Sequence, residues 1–89
     1  RDVAVHPSGR IFLSAYLGLM DLSKFAVFGF KSNGQVDRSF FRNGRYVAKI
    51  GKTSTAEEML IDRNGRLVVS GGTNRNGDAS FVIKRFIVG

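Results

Sequence analysis

The sequence predicts an all-β fold of antiparallel strands, and three observations support this prediction. First, tight-turn signals such as Asn64-Gly65 separate short apolar runs, which is the pattern of β-hairpins. Second, the run Lys24–Phe30 is apolar on both faces of an extended chain, which is typical of a strand covered on both sides. Third, the chain repeats itself at a spacing of 56 residues. Together these features predict antiparallel sheets that stack on one another.

Four strands are predicted in the first 56 residues, at residues 2–5, 10–14, 25–30 and 46–50. Each is a short run rich in β-branched or aromatic residues. Turn residues separate them, centred on Gly9, Gly34 and Gly44, and a connector of mixed polarity follows the third strand. Residues 15–23 are ambiguous, because the apolar residues from Phe12 to Met20 have helical spacing, so a helix and a loop remain open there.

The second half of the chain opens on a conflict between two signals. Thr55 and Glu58 have the spacing of a capping box, which marks the start of helices. The counterpart of residues 56–61 in the first half has no helix signature. We therefore predict a strand at residues 56–61, joined through an Asn64-Gly65 turn, with both turn residues at positive φ, to the next strand.

The repeat rests on a gapless alignment of the two halves at a shift of 56. Five positions among the 33 that overlap are identical, where ordinary composition gives about two. The identical pairs are Gly9/Gly65, Arg10/Arg66, Ser14/Ser70, Phe25/Phe81 and Phe30/Phe86. Apolar positions also keep their places across two strands. Both copies are therefore expected to fold alike, with Phe25 and Phe81 in similar environments.

Four antiparallel strands in 56 residues match the size of a β-propeller blade, which stacks face to face on its neighbours. A solenoid or a β-sandwich would give the same local pattern. In the blade interpretation, residues 1–89 form one β-repeat module of about 1.6 blades, with repeat one at 1–56 and a partial repeat two at 57–89. Its open edges predict assembly with copies of itself, as a symmetric homo-oligomer, or membership of a longer propeller.

These motifs resemble the bacterial delta-sixty β-propeller repeat. Its turn resembles residues 7–10 and 63–66, and its "vvaG" strand resembles residues 68–71. Its "fav-R-y" strand resembles residues 81–86 and, less closely, residues 25–30. The first copy departs from the motif at two positions, because Gly29 replaces the usual basic residue and Tyr16 replaces a glycine of the first loop. Its last element resembles residues 33–40 with Asn43-Gly44. The resemblance implies a secreted or surface-attached bacterial protein with a role in binding, adhesion or scaffolding. It brings no shared catalytic residues and no cofactor.

The composition favours anionic partners, because 14 Lys and Arg stand against seven Asp and Glu, for a net charge of +7. Acidic glycans, phospholipid headgroups, cell envelopes and nucleic acid all fit this balance. The sequence contains no run of 18 apolar residues, so no membrane span is predicted. The absence of cysteine excludes disulfides and thiolate metal sites. The chain begins with Arg1 rather than Met, so we expect a processed product or an excised piece.

The candidate binding site is a basic patch within residues 38–52, which holds five cations. Arg38, Arg42 and Arg45 lie in or beside turns, and Tyr46 follows them with a ring that could stack on a sugar or a base. A glycan or another anionic surface is the expected ligand, and a small basic nucleic-acid-binding domain is the alternative function. A solvated face that merely keeps the protein soluble would show the same charges.

No set of residues predicts an enzyme or a metal site. The single histidine, His6, is expected to be a solvated turn residue. Residues 74–78 offer oxygen ligands at alternate positions, but they lack the later glutamate of a calcium loop and are expected to be a plain loop. Asp37 is expected to bond nearby backbone amides in a turn.

Overall fold

The computed structural model describes residues 1–18, 22–75 and 77–88, and these residues contain seven strands. The strands are β1 (Asp2–Val5), β2 (Ile11–Leu17), β3 (Lys24–Phe30), β4 (Arg45–Ala48), β5 (Thr53–Ile61), β6 (Leu67–Arg75) and β7 (Asp78–Phe86). They form two antiparallel sheets in chain order, the first of β1 to β4 and the second of β5 to β7. The prediction of an all-β antiparallel fold is confirmed.

The ambiguous segments lie in strands wherever the structure describes them. Residues 15–17 belong to β2, which rules out a helix through Phe12 and Tyr16, and residues 19–21 lie outside the described part of the chain. Residues 56–61 belong to β5, so the predicted strand is confirmed and the capping-box interpretation is wrong. Within this described part, no helix is long and apolar enough to cross a membrane.

Three of the turns have the same backbone conformation. The expectation that both Asn64 and Gly65 have a positive φ is wrong. At Asp62–Arg66 the Gly65 N–H donates to the Asp62 carbonyl at 3.0 Å, and only Gly65 has a positive φ, of 78°. This is a type I turn followed by one left-handed residue, rather than a turn with two residues at positive φ. Gly9 and Gly34 occupy the same position in the turns at residues 6–10 and 31–35.

The core lies between the two sheets, where one face of each is buried against the other. Phe12, Phe25 and Val27 of the first sheet are fully buried with Leu67 and Val69 of the second. We call these the inner faces. Because side chains alternate along a strand, the intervening residues form the outer faces.

Polar contacts fix how the sheets are placed against each other. A β-bulge in β5 between Ala56 and Glu58 leaves Glu57 as an extra residue, and its carbonyl accepts a hydrogen bond from Ser14 Oγ at 3.1 Å. Nearby, the Met59 N–H donates to Asp2 Oδ2 at 2.8 Å. These two contacts join β1 and β2 to β5 through backbone groups of the second sheet.

The expectation that Phe25 and Phe81 share one environment is wrong. Phe25 is fully buried, whereas Phe81 is 81% exposed. Both lie at matching positions of their sheets, opposite Tyr16 and Gly72 respectively. The difference arises because the face that carries Phe25 is covered by the second sheet, and no described residue covers the equivalent face of the second sheet.

Candidate functional site

A cleft lies at β4, an edge strand of the first sheet. Its volume is about 970 Å³. The lining comes from the ends of β2 and β3, from the segment that precedes β4 and from β4 itself. The lining residues are Leu17, Gly18, Lys24, Arg38, Phe41, Arg42, Asn43, Arg45, Tyr46 and Val47.

One wall of the cleft is the segment of residues 37–44, which is tied to β3 at a single residue. The Gly29 carbonyl accepts from the Asp37 N–H at 3.0 Å, and the Gly29 N–H donates to the Gly44 carbonyl at 2.8 Å. Gly29 is needed there, because a Cβ would lie 2.8 Å from ring carbons of Phe40. The segment therefore closes over Phe40, which is buried and packs edge-on against Phe12.

Asp37 holds the start of this segment in the way that the sequence predicts. Its Oδ1 accepts from the Ser39 N–H at 3.1 Å and from Ser39 Oγ at 2.6 Å, and its Oδ2 pairs with Arg10 at 3.0 Å. The Ser39 hydroxyl, followed by the Ser39 N–H and the Arg10 guanidinium, lowers the pKa of this carboxyl.

The lowered pKa of Asp37 predicts a loss of stability in acid. The folded state resists protonation of this carboxyl more than the unfolded state does, so its contribution is complete above about pH 4 and declines as the pH falls below it. We expect the free energy of unfolding of D37N, measured with urea at several pH values, to fall less steeply below pH 4 than that of the wild type. Parallel pH curves for the two proteins would contradict this expectation.

The next turn aims side chains into the cleft. Asn43 and Gly44 have φ values of 53° and 91°, and the main chains of Arg42 and Arg45 are hydrogen-bonded to each other in both directions at 3.2 Å. This is the two-residue hairpin with both central residues at positive φ, for which Asn-Gly is the favoured pair. It places the side chains of Arg42 and Arg45 on the same cleft.

The aromatic part of the cleft is held by the core. Phe41 has a φ of 46°, which is a strained conformation for a bulky residue, and the residue is 56% exposed. Its ring packs edge-on against Tyr46 at 5.1 Å and Phe86 at 5.6 Å, and Tyr46 in turn packs against Phe86 at 4.9 Å. Since Phe86 belongs to the second sheet, both sheets fix the position of these two rings.

The cleft is strongly positive. Lys24, Arg38, Arg42 and Arg45 are exposed, and within the described ranges none of them forms an ion pair. The four ion pairs among the described residues all use other arginines, such as Arg66 with Asp62 at 3.1 Å. The described lining contains no carboxylate, so the cations face solvent without a neutralising partner.

The structure brings the predicted site residues together. Arg38, Arg42, Arg45 and Tyr46 all line the cleft, whereas Lys49 and Lys52 of the same basic segment do not. Lys24 and Phe41 also line the cleft but were not among the predicted site residues. Lys24 is distant in sequence and reaches the cleft only through the pairing of β3 with β4. The sequence feature that could have identified Phe41 is its position directly before the Arg42–Arg45 turn.

The other candidates lie away from the cleft. His6 is more than a solvated turn residue, because its Nδ1 accepts from the Ser8 N–H and its Nε2 donates to the Gly65 carbonyl, both at 3.0 Å. It thereby joins two turns. The expectation of a plain loop at residues 74–78 is wrong, because Asn74 and Arg75 belong to β6 and Asp78 to β7. Asn74 Oδ1 accepts from the Gly77 N–H, and Asn76 lies outside the described residues. Across the described ranges, no three His, Cys, Asp or Glu side chains form a metal-binding group.

Comparison with known proteins found no relative of this chain. No family model matches the chain, and neither a curated protein nor a solved structure matches it.

Proposed function

We propose that this chain is a non-enzymatic, propeller-like β-repeat module that binds an acidic glycan in the cleft at β4. The observation that carries the proposal is the set of four cations around two aromatic rings, the exposed Phe41 and the half-buried Tyr46, in one cleft. A role in adhesion or scaffolding at a bacterial cell surface goes with it, on the strength of the motif resemblance.

The charges support an anionic ligand. A carboxylate or sulfate in the cleft would meet guanidinium groups of Arg38, Arg42 and Arg45, which bind such groups with two parallel hydrogen bonds. No rearrangement of existing ion pairs is required among the described residues. A single-sign cleft of this kind also raises the local concentration of anions.

The aromatic rings support a sugar as the carrier of that charge. A pyranose ring has an apolar face of C–H groups, and burying it against Phe41 and Tyr46 removes apolar surface from water on both sides. Both rings are already held in place by Phe86, so binding requires little further ordering of side chains.

The size of the cleft favours a short oligosaccharide over a nucleic acid. Its volume of about 970 Å³ lies at the upper end of ordinary ligand pockets. Nucleic-acid surfaces instead present a basic stripe that follows a long backbone. Here the basic residues of the cleft are concentrated at one edge, and Lys49 and Lys52 lie outside it.

The binding test compares two variants of equal charge. R38Q/R42Q removes two cations from the cleft, and K49Q/K52Q removes two exposed cations from outside it. With sulfated and uronic-acid tetrasaccharides, we expect calorimetry to show affinity about tenfold to thirtyfold weaker for R38Q/R42Q, since each lost charge contact is worth about 1 kcal/mol. The control K49Q/K52Q should bind within about twofold of the wild type.

Two ligand controls separate the alternatives. A neutral tetrasaccharide should bind much more weakly than the acidic ones. A single-stranded oligonucleotide that binds more tightly than every acidic glycan, with a steep dependence on salt, would favour the nucleic-acid function and contradict the proposal. Equal losses in both double variants would show that net charge, rather than the cleft, attracts the ligand.

A further inference from the structure

Both outer sheet faces of this chain carry exposed apolar side chains. On the second sheet, Leu60, Phe81 and Ile83 are 56%, 81% and 67% exposed. On the first sheet, Val3 and Val5 are 53% and 60% exposed. Exposed apolar side chains grouped in this way mark interaction surfaces in soluble proteins.

The 56-residue repeat relates each open face to a face that is already buried. Leu60, Val68, Phe81 and Ile83 on the outer face of the second sheet correspond to Ala4, Phe12, Phe25 and Val27 on the inner face of the first. In the opposite direction, Val3, Val5, Leu13 and Phe30 on the outer face of the first sheet correspond to Met59, Ile61, Val69 and Phe86 on the inner face of the second. The two open faces are thus the two halves of the interface that the chain forms within itself.

The side chains that make the polar contacts of that interface also have counterparts on the open face. Inside the chain, Ser14 donates to the Glu57 carbonyl and Asp2 accepts from the Met59 N–H. The equivalents of Ser14 and Asp2 on the second sheet are Ser70 and Glu58, which keep a hydroxyl and a carboxylate. On an incoming first sheet, the matching backbone groups are the Arg1 carbonyl and the Val3 N–H, which in the single chain donates to Asp2 Oδ1 at 2.8 Å.

We propose that the outer face of the second sheet of one copy packs against the outer face of the first sheet of another copy, head to tail. The occupant is a second copy of this chain because, through the repeat, the outer face of the first sheet has its counterpart in the surface that covers Phe25 and Val27 within the chain. The contact is heterologous, so successive copies extend a stack. The stack closes into a ring if the rotation between neighbouring copies adds up to a full turn. This inference does not rest on the proposed glycan site.

The size of the contact sets the concentration at which assembly should be seen. Three strands of nine residues cover roughly 30 Å by 14 Å, or about 400 Å² of sheet on each side. Such an area belongs to the lower end of specific interfaces, so we expect weak association, with Kd on the order of 100 μM.

The test uses two single variants of the full chain, each with one negative charge on one of the open faces. F81E alters only the second sheet and V3E only the first, at side chains that are 81% and 53% exposed, so folding should be retained and is checked by circular dichroism. In sedimentation velocity between about 10 μM and 1 mM, the wild type should grow beyond a dimer with concentration. Each variant alone should remain monomeric.

An equimolar mixture of the two variants provides the decisive measurement. F81E retains an intact first sheet and V3E an intact second sheet, so the mixture should form a heterodimer and stop there. A wild type that stays monomeric at 1 mM overturns the proposal, and so does a mixture that stays monomeric. If V3E alone still dimerises while F81E does not, the second sheet pairs with itself and the head-to-tail arrangement is wrong. R38Q/R42Q should assemble like the wild type, which keeps this result separate from the glycan test.

Discussion

G71A is expected to lose about 3 kcal/mol or more of unfolding free energy, because the backbone of β5 leaves no room for a methyl group at this position. A Cβ on Gly71 would overlap the Thr55 carbonyl oxygen and lie 2.9 Å from the Thr55 carbonyl carbon and 3.1 Å from Ala56 Cα. Gly71 lies opposite Ala56, where the β5 bulge begins. Neither strand can move away without breaking the pairing of β5 with β6.

The matched control for this change is the adjacent glycine. A Cβ on Gly72 would come no closer than 3.9 Å to the Ser80 carbonyl oxygen, which is ordinary contact. Urea unfolding of G72A should therefore lie within about 1 kcal/mol of the wild type. Similar losses for both variants would mean that the close approach at the bulge does not limit the sheet.

F25A is expected to destabilise the fold by about 3–5 kcal/mol, because Phe25 is fully buried between the sheets and truncation leaves a cavity. A domain of this size has a total stability of about 5–15 kcal/mol, so much of it would be lost. Urea unfolding at low micromolar protein concentration measures the change.

The repeat supplies the control for F25A. F81A removes the same side chain from the equivalent position, but Phe81 is 81% exposed, so its loss should cost less than about 1 kcal/mol in the monomer. A loss for F81A that equals the loss for F25A would show that the outer face of the second sheet is covered in solution even at high dilution.

Local signals in the sequence predicted most strands because turns and alternation are properties of short segments. The Asn43-Gly44 turn and the role of Asp37 follow from neighbouring residues. The strand at residues 56–61 was instead predicted from its counterpart in the repeat, against a local capping-box signal. The turn at Asn64-Gly65 differed from its prediction, because Asn-Gly also occurs in type I turns in which only the glycine has a positive φ. Sequence alone does not distinguish these turns without the loop length.

Features that depend on another part of the chain were not predictable in the same way. The exposure of Phe81 depends on whether a further sheet covers it, and the sequence of β7 is the same in either case. The role of Glu57 depends on a bulge that places its carbonyl near Ser14, at a separation of 43 residues. For the cleft, the arginines were close in sequence, whereas Lys24 and Phe86 entered through strand pairing and packing.

The hydrogen bonds from Ser14 to Glu57 and from Met59 to Asp2 have a mechanical consequence. Two apolar layers held by burial alone can slide past one another at little cost, because the hydrophobic effect has no direction. Contacts to backbone atoms resist such sliding, because any displacement lengthens both bonds at once. Under tension, the two layers should therefore yield abruptly in shear, at one threshold force, rather than creep.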